Sequence, residues 1–88
     1  LAVAPLAQPT QAPVLLVWSN DSPTSYTVIR VYDITGRLQF EKTVTGVQSG
    51  LAEWDGRSRS GVTAPSGVYL AEIRRGLTTA RSRVILLR

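Results

Sequence analysis

Residues 25–44 read S-Y-T-V-I-R-V-Y-D-I-T-G-R-L-Q-F-E-K-T-V, and the fold is decided there. β-Branched and aromatic side chains crowd both halves of the stretch, a composition suited to a pleated, half-buried surface. In the first half, Ser25 to Ile34, the alternation of a strand puts Thr27, Ile29 and Val31 on one face. Thr35, Gly36 and Arg37 then reverse the chain. Gly36 is free to take positive φ, and Asp33 is placed to accept hydrogen bonds from backbone amides of the turn. Leu38 to Val44 returns as the partner, which predicts an antiparallel hairpin.

Five more candidate strands lie outward from this hairpin. Leu1 to Ala4 and Pro13 to Trp18 precede it, and a polar break at Asn20, Asp21, Ser22 and Pro23 supplies turn chemistry. Gly46 and Gly50 lead into Leu51 to Trp54, which is followed by a polar loop from Asp55 to Pro65 carrying Gly56 and Gly61. Ser66 and Gly67 open the strand Val68 to Arg74, where Tyr69, Ala71 and Ile73 share a face. Gly76 turns the chain into Thr78 to Leu87. Seven short strands between turn signals predict an all-β protein, an immunoglobulin-like antiparallel β-sandwich, with Trp54 as its central core aromatic. Pro5, Pro9 and Pro13 cannot donate to a central ladder, so residues 1–13 are expected as an extended Pro-rich arm or edge strand and residues 14–88 as the sandwich.

With 88 residues the chain has material for one core, and with no cysteine that core must hold without disulfides. No histidine is present either, which removes zinc sites, thiol chemistry and the usual nucleophile and base pairings. Asp33, Glu53 and Asp55 sit near turns, where capping is the expected role in preference to catalysis or calcium binding. The expectation is therefore a non-enzymatic protein with no cofactor and no metal.

Ten basic residues against six acidic ones give a net charge of +4, and nine of the ten are arginine, Lys42 being the exception. Arg74, Arg75, Arg81 and Arg83 do not point to nucleic acid, because Arg81 and Arg83 alternate along a strand as an outer, edge-protecting face does. The glycines stand singly at turns, so no phosphate-cradling loop is present. No apolar run approaches the roughly 20 residues of a membrane helix. Leu1 to Thr10 has neither the basic head nor the apolar run of a signal peptide, and the chain contains no methionine. A processed product, or the excised end of something longer, is expected.

Three motifs occur in a recognisable order: Y-D-I-T-G-R at Tyr32 to Arg37, W-D-G-R at Trp54 to Arg57, and S-G-V-Y at Ser66 to Tyr69. R-S-R-V-I-L-L-R at Arg81 to Arg88 closes the pattern. With these the chain resembles the Ig-like domain of flagellar hook-capping proteins and the closely similar C-terminal sorting domains of type IX secretion cargo. The likeness covers almost the whole chain and is strongest from Ile29 onward. Its signature positions are Asp33, Gly36, Arg37, Trp54, Asp55, Gly56, Gly67 and Tyr69, which are fold signatures more than active-site signatures. Many sorting domains carry an Asn-Pro turn after the first strand, whereas this chain has A-P-L-A-Q-P-T at Ala4 to Thr10.

The resemblance implies a non-catalytic structural module with an extracellular or cell-surface destination, a C-terminal sorting or anchoring domain whose protein partner is the secretion machinery. The alternative is a self-assembling subunit of an extracellular filament, a homo-oligomer or polymer of identical subunits. In that reading an N-terminal arm pairs with a neighbour's open sheet edge through Leu1, Val3, Val14, Leu15, Leu16, Val17 and Trp18. A third reading, a carbohydrate-binding module, would use Trp18 and Tyr26 as an exposed platform.

Overall fold

The computed structural model describes residues 1–21, 26–45 and 49–88. Ser22, Pro23 and Ser25 of the expected turn and strand start, and Gly46, lie outside the described residues. The strands are β1 (Ala2–Pro5), β2 (Val14–Ser19), β3 (Thr27–Asp33), β4 (Leu38–Val44), β5 (Ser49–Trp54), β6 (Gly67–Arg75) and β7 (Thr78–Leu86). They form two antiparallel sheets, one in the order β1-β2-β5 and the other β4-β3-β6-β7. This is the immunoglobulin-like sandwich that the strand pattern predicts.

The hairpin that anchors the prediction is β3–β4, with Thr27 opposite Val44 and Val31 opposite Phe40. A register shift between Val31 and Tyr32 sets Leu38 opposite Tyr32. β3 ends one residue earlier than the sequence suggests, at Asp33. There the backbone is already committed to the turn, for Asp33 N–H donates to Arg37 O at 2.9 Å and Gly36 N–H to Asp33 O at 3.0 Å. Ile34 is thereby left in the turn and exposed. β5 begins at Ser49, two residues before the apolar run, because backbone pairing with Trp18 and Ser19 of β2 continues through Gly50 and Ser49, which contribute little apolar surface.

Alternation fills the core from both sheets. Val14, Leu16, Trp18, Ala52 and Trp54 meet Ile29, Val31, Tyr69, Ala71, Ile73, Val84 and Leu86, with Phe40, Val44 and Ala80 packed at the margin. Burying a Leu, Ile or Val side chain contributes about 1.5–3 kcal/mol, so this cluster is the main stabilising element of a chain without disulfides.

Residues 2–5 form an edge strand, and the segment after them ties the two sheets together. β1 pairs with β2 and buries Val3. The chain then crosses to β7, where Thr10 N–H donates to Ile85 O at 2.8 Å and Leu87 N–H donates to Thr10 O at 2.9 Å. The Gln8 side-chain amide acts as a further rung, donating to Arg83 O and accepting from Ile85 N–H. Outside, the four-stranded sheet carries an alternating row of charge, Glu41, Arg30, Glu72 and Arg81, one residue per strand. Arg30 meets Glu41 at 2.7 Å and Arg81 meets the buried Glu72 at 3.0 Å.

Candidate functional site

The three sequence motifs converge at one pole of the sandwich, and each is held by its own hydrogen bonds. Asp33 Oδ1 accepts from Thr35 N–H at 2.9 Å, Thr35 Oγ1 at 2.7 Å and Arg37 N–H at 2.9 Å. The hydroxyl and amides of this turn stabilise the ionised carboxylate and hold its pKa below the ordinary value, the Thr35 hydroxyl contributing most. Gly36, at φ +87°, supplies the left-handed conformation that closes the turn.

In the second motif the Trp54 indole N–H donates to Arg57 O at 2.8 Å while Asp55 Oδ1 accepts from Arg57 N–H at 2.9 Å. Gly56 is required twice over. Its φ is +78°, and a Cβ there would lie 2.7 Å from the Ala12 Cβ and 2.8 Å from Arg88 Nη2. In the third motif Gly67 opens β6, and the Tyr69 hydroxyl donates to Pro65 O at 2.7 Å. That bond has the form of a tyrosine corner, the clasp found in many immunoglobulin-like sandwiches. The Tyr69 ring stands edge-on to Trp54 with centroids 5.1 Å apart, and burial pushes its phenol pKa up.

Arg88, the last residue of the closing R-S-R-V-I-L-L-R segment, completes this pole, a role that the segment's sequence does not reveal. Its Nε donates to Ala64 O at 2.7 Å, its Nη2 bonds Gly56 O, and its backbone N–H donates to Ser66 Oγ. A guanidinium thus spans the loop between β5 and β6. Beside Asp33 lies an open groove of about 500 Å³ lined by Arg37, Gln39, Ser58, Arg59 and Val62 among others. Within it the Asp33 Oδ1 is saturated by its own turn, and among the described residues no three acidic side chains gather as metal ligands would. Such an arrangement braces turns and offers a polar surface.

The expected assembly residues divide by the strand period. Val3, Val14, Leu16 and Trp18 point inward and are buried in the chain's own core, and Leu1 is half-buried. Leu15 and Val17 point outward, where β-pairing sets Val17 between Ala4 and Leu51. Trp18 is 4% exposed, which overturns its place in an exposed glycan platform, whereas Tyr26 is 64% exposed. The indole lies inward because it packs over Gly50, its partner across the strands. It is buried with its N–H unpaired among the described residues, a desolvation cost of about 1–3 kcal/mol.

No known protein family and no curated protein matches this sequence. Among solved structures the chain is similar to a part of PorZ from Porphyromonas gingivalis, a bacterial surface component essential to the type IX secretion system there. The likeness has a TM-score of 0.70 at 18% identity and covers 98% of this chain and 11% of PorZ. The two therefore share a fold over one small part of a much longer protein.

Proposed function

We propose that this chain is a non-catalytic module of an extracellular or surface protein, acting as a sorting or anchoring domain for type IX export. The observation that carries the reading is the correspondence of nearly the whole chain with a domain-sized part of a type IX surface component. The motifs shared with sorting domains agree with it, since Asp33, Asp55, Gly56 and Tyr69 are spent on turns and clasps. What remains for function is surface, and the partner is the secretion machinery. The test is a reporter fused to residues 1–88 in a host with that export system. The fusion is expected outside the cell, with the unfused reporter kept in the periplasm. Equal retention of both would overturn the reading.

The filament alternative keeps one specific support. The segment 1–13 is held through pairing with β2 and β7, with Val3 seated in the core, so an arm exchanged between subunits would make the same contacts. Deleting residues 1–13 abolishes fibres in that reading, and fibres that persist after the deletion would count against it.

A further inference from the structure

The sandwich has four sheet edges, and they are not equally protected. β1 is four residues long and ends in Pro5. β7 is covered along Arg83 to Leu87 by Gln8 and Thr10. β4 carries two exposed charges, Glu41 and Lys42, and short strands, proline and charge are the usual devices against edge pairing. β5 lacks them. It reads S-G-L-A-E-W, ends the three-stranded sheet, and among the described residues nothing pairs with its far side.

Two further observations concern this edge. On the outer face Leu51 is 57% exposed and continues the apolar row of Ala4 and Val17. On the inner face the Trp18 indole turns its N–H-bearing side toward Gly50, with Nε1 3.4 Å from where a Cβ of that residue would stand. This donor is buried and among the described residues has no acceptor. Gly50 leaves nothing between the indole and the backbone of β5, so a strand added beyond β5 would bring backbone carbonyls to the side of the core where one is missing.

We propose that the β5 edge pairs, antiparallel, with the β5 edge of a second copy of this chain, joining two three-stranded sheets into one of six. The strand is complementary to itself. Pairing centred on Leu51 sets Leu51 against its counterpart, Ser49 against Glu53 and Gly50 against Ala52. No like charges meet, two exposed leucines become buried, and the inner-face pair is small. One pair of six-residue strands is less than a standard interface, so the association is weak, with Kd on the order of 0.1 mM. The contact is separate from the proposed sorting role and from the segment 1–13.

Sedimentation velocity on the full chain between about 10 µM and about 1 mM tests it, with the Trp18 indole N–H followed by NMR over the same range. A monomer–dimer equilibrium is expected, with the indole signal moving downfield as dimer forms. Leu51→Lys, at an exposed site, should raise Kd about tenfold or more. Ser49→Glu, also exposed and set against Glu53 across the proposed pairing, should weaken the dimer by placing like charges opposite each other, which keeps the test open if Leu51→Lys disturbs folding. Deletion of residues 1–13 is not the relevant perturbation. A monomer at the highest concentration, a dimer indifferent to both substitutions, or a chain that captures an extended peptide on β5 while staying monomeric would each overturn the proposal.

Discussion

Replacing Tyr69 by Phe removes one oxygen and leaves the ring in its edge-on contact with Trp54, so the variant isolates the clasp to Pro65 O. The net worth of such a bond is about 0.5–1.5 kcal/mol, and the partly buried carbonyl that loses its donor adds a desolvation cost. We expect a loss of about 1.5 kcal/mol. For a domain of this size that corresponds to a fall in Tm of roughly 6–12 °C. Urea unfolding followed by tryptophan fluorescence is the assay: the midpoint should drop by close to ~1 M with the slope unchanged, since the surface exposed on unfolding is the same. A change below about 0.3 kcal/mol would refute the assignment of Tyr69 to the fold. So would a variant of wild-type stability that no longer directs export, because the hydroxyl would then be read by a partner.

Gly56→Ala forces a Cβ onto Ala12 and Arg88 at a backbone angle alanine resists, and a loss of about 2 kcal/mol in chemical denaturation is expected. Leu16→Ala should cost about 3 kcal/mol because the side chain is fully buried, whereas Val17→Ala beside it should stay within about 0.5 kcal/mol. Equal losses in the two denaturation curves would contradict the alternation. The folded-state pKa of Asp33 lies below its ordinary value, so its contribution is present above the unfolded pKa near ~3.9 and is lost as pH falls through the folded value. Asp33→Asn should flatten the acid limb of a stability–pH profile, and an unchanged limb would remove Asp33 from that role.

Much of the fold was legible because a strand's side chains alternate with a strict period, whatever surrounds them. Thr27, Ile29 and Val31 had to share a face, and Gly36 had to follow Asp33 at the turn. The same rule applied to Val14–Trp18 could not tell which of its two faces is inside, since both are apolar. Leu15 and Val17 are on the outer face of the sheet, whereas the rest of the run is core. Trp18 was unassigned for a related reason. Its burial depends on Gly50, a residue 32 positions away whose missing side chain makes room for the indole.

By itself, the sequence determined the class of the protein: seven strands, turns at Asp33 and Asp55, one core without metal-binding histidine or thiol. These follow from local chemistry, from which side chains fit a pleated backbone and which backbones accept a turn. Tertiary structure alone decided that Arg88 spans the loop at Gly56, that Gln8 and Thr10 cover the edge of β7, and that β5 is left open. Those contacts join residues far apart in the chain, and no local preference encodes them. They are fixed only when the two sheets close on each other and each edge either finds a partner or does not.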